Sequence, residues 1–241
     1  MKQIEIFKKA FRAEGTKKRA EKEKAYLKSN LNFHGVTVPF IRKTGKAFYR
    51  EHKDLSHDEL INLVEELWAT DFHDLHTLGI VLLQSYADKL EADDIAMVEN
   101  LIRKSNTWDH VDGLSAWIAG SLVTRYKSAR RVLTRWSKDD NFWIRRASML
   151  AQLAELREGK GDFNLFAKFA SSMIEEKEFF IRKAIGWVLR EVSKKRPELS
   201  YNFLLEHIDR VSGLTLREGS RKLPEKQQTT LKKHDKTRHT L

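Results

Sequence analysis

Four segments of the chain start alike: "TDFHDLHTLGIVLLQSY" from Thr70, "NTWDHVDGLSAWIAGSLVTRY" from Asn106, "DNFWIRRASMLAQLAEL" from Asp140 and "KEFFIRKAIGWVLREV" from Lys177. Aligning Phe72, Trp108, Trp143 and Phe180 gives a period of about 36 residues, the spacing of helical-hairpin repeats. Such a repeat narrows the fold sharply. Each hairpin covers only one neighbour's apolar face, so successive hairpins must stack into a curved α-solenoid, and that shape has a concave side. The stretches between the four segments, "DDIAMVENLIRKS", "SARRVLTRWSKD" and "FNLFAKFASSMIEE", supply second helices. Outside them, "SHDELINLVEELWAT" and "PELSYNFLLEHID" carry apolar residues at three- and four-residue spacing. Only three prolines and eleven glycines interrupt the chain, and alternating runs with hairpin dipeptides are missing. The expected fold is therefore all-α. "FHGVTVPF" is the one stretch that reads as extended, and it is expected to link helices with Pro39 at an N-terminal turn.

The solenoid is expected to carry a basic cleft, because 45 Lys and Arg against 34 Asp and Glu give a formal charge of +11. Such a field attracts polyanions, and nucleic acid is the leading partner class. The absence of cysteine excludes disulfides, thiolate catalysis and thiolate zinc sites. Uncharged runs such as Gly113 to Thr124 are too short to cross a bilayer, and "MKQIEIFKKAFRAEG" lacks the apolar core of a signal peptide. The chain is read as a cytoplasmic, membrane-free monomer with no cofactor. Residues 1–223 are expected to form a single repeat domain, and residues 224–241 a basic, flexible tail.

At about 100° per residue, the core accounts for most helical positions and leaves a few unexplained. On the Asn106 helix Val111, Leu114, Ile118 and Leu122 form the buried stripe. Asp109 answers the free amides of the first turn, after a cap at Asn106 or Thr107. Asp112 has no such explanation; it shares a flank with Trp108, one turn earlier, beside the small Ser115 and Ala119. On the Asp140 helix Trp143, Ala147, Leu150 and Ala154 make the stripe, widened by Phe142, Met149 and Leu153. Arg146 points into that apolar sector and calls for an anion, with Asp112 one repeat earlier as the candidate partner. Arg145 falls on the polar side with Gln152. On the Lys177 helix Ile181, Ala184, Ile185, Val188, Leu189 and Val192 form the core, while Trp187 lies opposite with Lys183 and Arg190. A large ring among bases suits packing against nucleotides.

The strings "TWDHVD", "NFWIRRA" and above all "EFFIRKAIGWVLRE" resemble those of the AlkD-type DNA alkylation-repair glycosylases, a family with a HEAT-like helical-repeat solenoid. "FHGVTVPFIRK" and "SGLTLRE" extend the resemblance along most of the chain. It implies excision of N3- and N7-alkylated, cationic purines from duplex DNA by hydrolysis of the N-glycosidic bond. The family's two tryptophans, aspartate and arginine carry over onto Trp108, Trp187, Asp112 and Arg146. His110 inside the first motif, Arg182 inside the last and the basic tail depart from the pattern, which bears on substrate range. Arg145, Lys183 and Arg190 are the expected phosphate contacts.

Two other uses of such a fold remain open at this point: a non-catalytic nucleic-acid scaffold, and a protein-interaction scaffold in which Trp187 anchors a partner helix. "HDLH" places His73 and His76 on adjacent turns, with His57 and His110 as possible neighbours. Without HExxH spacing or a clear third ligand these histidines are read as surface or hairpin-packing residues, and no metal is expected.

Overall fold

A computed structural model describes residues 2–238. Among them the only β-type pairing is an isolated bridge between Asn32 and Phe72, and every other regular element is helical. No helix is long and apolar enough to cross a membrane. The chain is described as two compact units, Met1–Ile118 and Ala119–Leu241.

The first unit contains α1 (Lys2–Glu14), α2 (Lys17–Leu27), α3 (Val38–Glu51), α4 (His57–Trp68), α5 (His73–Ser85), α6 (Asp94–Lys104) and α7 (Trp108–Gly113), followed by a π-helical turn over Leu114–Ala119. Local sequence explains the starts. Thr37 caps α3 by accepting from Phe40 N at 3.2 Å, with Pro39 in the first turn as expected. Ser56 and Glu59 form a reciprocal capping box on α4. The long helices α3, α4 and α5 pack together, and two glycines set how closely. A Cβ on Gly45 would lie 2.5 Å from Val81 Cγ1, and one on Gly113 would press on Ile80 at 3.3 Å. Glycine thus lets α3 and α7 settle against α5.

The link into α3 is pinned by a buried carboxylate. Asp74, in the first turn of α5 and 2% exposed, accepts from His34 N at 2.8 Å and Gly35 N at 3.2 Å, and lies 3.2 Å from His34 Nδ1. The His34 ring stacks on Phe72 at 4.1 Å. Gly35 has φ +79°, and a Cβ there would meet Thr16 O at 2.2 Å, so no other residue fits without movement.

The second unit contains α8 (Gly120–Arg125), α9 (Lys127–Arg130), α10 (Val132–Trp136), α11 (Phe142–Leu150), α12 (Leu153–Arg157), α13 (Phe163–Ser172), α14 (Phe179–Ser193), α15 (Pro197–Glu206), α16 (Gly213–Ser220) and α17 (Glu225–Arg238). Helix α14 is its centre, packing on α11, α12, α15 and α16. The six apolar residues expected on its core stripe are all fully buried.

Two expectations need correction here. The Asp140 segment is not one helix: it turns at Ala151–Gln152 and resumes as α12. The wheel phase is lost at that break, so Ala154 is exposed and Gln152 is buried, donating to Ser148 O at 2.9 Å. The stretch expected to be a flexible tail is helical over Glu225–Arg238, held by Leu231, 1% exposed, and by Gln227 donating to Glu198 at 2.6 Å. One apolar residue at the right phase is enough to dock it. Residues 239–241 of that expected tail lie outside the described residues.

Removing the Asp74 carboxylate leaves buried amides without an acceptor. We predict that Asp74→Ala lowers unfolding free energy by about 3 kcal/mol or more, measured as a shift in urea midpoint. A loss below about 1 kcal/mol would show that the link is held by other contacts.

Candidate functional site

In the first unit the site is built on the start of α7. Trp108 and Asp112 are both half-buried and one helical turn apart, so they share a face as their spacing requires. Asp109 lies in the first turn of α7, as expected, and takes on a further contact. Its Oδ2 lies 3.0 Å from His73 Nε2 of α5, which ties the first turn of α7 to the first turn of α5.

That contact caps a buried stack of rings. Phe33 stacks on His73 at 4.5 Å, and His73 stacks on His110 at 4.0 Å. Trp68, at the end of α4, stacks on His76 at 4.7 Å and lies 5.6 Å from His110. His110 Nε2 is 3.1 Å from Thr77 Oγ1, and His76 Nε2 donates to Thr70 O at 2.8 Å. The histidines that looked like surface or hairpin-packing residues are hairpin-packing ones at α4, α5 and α7; His57, outside the stack, meets Asp94 at 3.0 Å.

Burial sets the charge state of the stack. Desolvation pushes His110 down to about 3, and it also lowers His76. Desolvation works against the Asp109 anion, yet the close contact with His73 and the neighbouring imidazoles hold its carboxyl well below the usual range. The α7 N-terminus favours the same anion. His73, Asp109 and His110 offer possible ligand atoms within 4.8 Å of one another. The stacked rings, 21° from parallel, run their in-plane nitrogens side by side, whereas a shared ion needs lone pairs that converge. The arrangement fits a packing role.

Tyr26 was not legible as a site residue. It is the only aromatic on α2, a helix of lysines and glutamates with no buried residue, and it stands 72% exposed with its ring edge-on to Trp108 at 6.1 Å. Its signal was a lone ring on a polar helix.

In the second unit Trp187 is half-buried on α14, off the core stripe. Arg146 is 3% exposed; it donates to Phe180 O, and its guanidinium stands 5.9 Å from the Phe180 ring. The expected phosphate contacts are engaged with carboxylates. Arg145, read as a solvated arginine, pairs through two nitrogens with Glu176, at 3.0 and 2.8 Å, and donates to Asp139 O at 2.6 Å. Lys183, at 3.0 Å, and Arg190 both grip Glu218 of α16. The hydrogen bond from Lys183 leads the lowering of the Glu218 carboxyl, so these three bases carry less net positive field than their sequence suggests.

The family model described as "DNA alkylation repair enzyme" matches residues 7–223. Among solved structures, the chain is similar to a protein from Enterococcus faecalis described as a predicted DNA alkylation repair enzyme, with 27% identity and TM-score 0.79 over 88% of this chain and 98% of that one. It is similar in fold to AlkD2 from Streptococcus mutans, at 17% identity and TM-score 0.53 over 83% of this chain and 88% of that one. The smu.31 protein of Streptococcus mutans UA159 shows the same fold at 17% identity and TM-score 0.51, over 82% and 96% of the two chains. No curated protein gives a match.

The buried stack makes stability depend on pH. His110 has a folded value of about 3 against an ordinary 6.5, so between those limits the unfolded chain binds a proton that the folded chain refuses. Stability therefore falls as pH drops through that window, by up to ~1.4 kcal/mol per unit for one imidazole. In urea titrations from pH 7 to 4.5, His110→Phe is expected to flatten this decline by about 1 kcal/mol per unit. An identical slope in both proteins would contradict a neutral buried His110.

Proposed function

The chain belongs to the DNA alkylation repair enzyme family, and from that premise we propose that it is a DNA glycosylase excising N3- and N7-alkylated purines from duplex DNA. Alkylation of a purine ring nitrogen makes the base cationic, so it departs neutral and needs no strong general acid. Positive charge develops instead on the deoxyribose. A carboxylate beside the sugar stabilises that charge and positions the attacking water, and Asp112 is assigned this role.

The observation that carries the reading is the pair of half-buried side chains, Trp108 and Asp112, presented one turn apart on a helix whose start is locked by buried contacts. An indole packed against the sugar-phosphate backbone holds the lesion in place and excludes bulk water. Tyr26, edge-on to Trp108, supports that ring. In the second unit Trp187 is proposed as a further backbone contact and Arg146 as a further functional side chain. Those two assignments rest on the motifs "EFFIRKAIGWVLRE" and "NFWIRRA". Arg145, Lys183 and Arg190 are proposed as secondary phosphate contacts, weakened by their carboxylate partners. In this reading the protein acts as a monomer on DNA in the cytosol, without a cofactor. Selectivity comes from the weakened glycosidic bond of a cationic base, without a fitted base pocket.

Released bases from methylated duplex DNA test the assignment. Asp112→Asn is expected to slow single-turnover excision by about 100-fold or more while DNA affinity changes little, and Trp187→Ala to slow it by about 10-fold or more. Excision by Asp112→Asn at the wild-type rate would remove the carboxylate from the mechanism. Salt-sensitive DNA binding with no base release by the wild type would leave a non-catalytic scaffold.

A further inference from the structure

One exposed tryptophan is unused by this chemistry. Trp117 sits in the π-helical turn, 48% exposed, while Leu114, Ser115, Ala116 and Ile118 around it are buried. The turn matters for where the indole emerges. In an α-helix residues five apart lie roughly 140° from each other; in an i→i+5 turn they come closer to alignment, so Trp117 is brought round towards the side that carries Asp112.

The indole has cationic company. The Arg42 guanidinium stands 5.8 Å from its ring centre, and Arg42, Lys46, Val81, Gln84, Ser85 and Trp117 line an open groove of about 400 Å³. Arg42 and Lys46 also line an adjoining groove of about 500 Å³ with Lys43 and Arg50. Arg42, Lys46 and Arg50 recur at four-residue spacing, so they form one stripe along α3. All four bases are exposed, and among the described residues none of the four forms an ion pair. This contrasts with Arg145, Lys183 and Arg190, each held by a glutamate.

Unpaired cations beside an exposed indole fit a phosphodiester strand. The stripe from Arg42 to Arg50 spans about 12 Å of helix, the length of about four successive phosphates at the 3.4 Å rise of one duplex strand. We infer that the α3 stripe and Trp117 form a second DNA contact, in which Arg42, Lys46 and Arg50 bind backbone phosphates flanking the lesion and Trp117 packs on a deoxyribose between them. The inference rests on the reading of the protein as an enzyme acting on DNA. It also locates the main electrostatic grip on α3 and not on the bases of α14.

The test compares wild type with Arg42→Gln/Lys46→Gln and with Trp117→Ala, each checked for an unchanged melting temperature. Affinity for an unmodified duplex is measured across salt, and single-turnover release of 7-methylguanine at saturating DNA. The double variant is expected to bind about 10-fold or more weakly, with its log–log salt slope reduced by about 2, the share of two phosphates. Trp117→Ala is expected to bind about 3- to 10-fold more weakly with little change in slope. Both should retain the wild-type release rate at saturation, because neither touches the Asp112 machinery. Wild-type affinity and slope in both variants would overturn the inference while leaving the glycosylase reading intact. Absence of DNA binding and base release in the wild type would overturn both.

Discussion

The contact between Asp109 and His73 fixes the part of the molecule on which the proposed chemistry depends. It joins the first turns of α7 and α5 at 3.0 Å, and beneath it the stacked rings of His73 and His110 leave α7 little freedom to rotate. Trp108 and Asp112 flank this lock on the same short helix. A rotation of α7 by a few tens of degrees would swing both side chains away from their shared face, whereas a proposed catalytic carboxylate must be held to within a fraction of an ångström. Buried imidazoles suit the task because neutral rings pack like aromatics and still bond at their edges. The Asp109 anion is stabilised by the α7 N-terminus and by His73, so the lock is made of mutually supporting weak contacts.

Charge is distributed along the chain in two modes. On α11 and α14 the bases face glutamates from α16 and from the turn before α14, which fixes helix packing and mutes their field. On α3 the bases have no carboxylate partner among the described residues. A DNA-acting protein gains from both: the paired bases build a rigid frame, and the unpaired ones attract the polyanion. A net charge of +11 is therefore a poor guide to where DNA would be held, since what counts is the cation without an acidic neighbour.

The fold class was legible because helical periodicity and the four similar helix starts are properties of the local sequence. Phe72 is the N-cap of α5, Trp108 opens α7, and Trp143 and Phe180 are the second residues of α11 and α14, so the aligned aromatics all fall within two residues of a helix start. What failed was extrapolation of a constant 100° step. The break at Ala151–Gln152 inverted Gln152 and Ala154, because it leaves no mark in residue type. The glutamate partners of Arg145, Lys183 and Arg190 lie 28 to 35 residues away in sequence, beyond the reach of a wheel. The half-exposed positions of Trp108, Asp112 and Trp187 agree with their reading as residues the core does not need.

The central claim is that a fixed carboxylate assists departure of a base that is already positively charged. The most direct measurement compares, in one duplex sequence and one protein preparation, release of cationic 7-methylguanine with release of neutral O6-methylguanine, which carries the same alkyl group on the same purine. The account predicts release of the first at a rate well above spontaneous loss and none of the second. Comparable release of both bases would mean that the enzyme recognises the alkyl group or the base itself, and would contradict a mechanism driven by the charge of the leaving group.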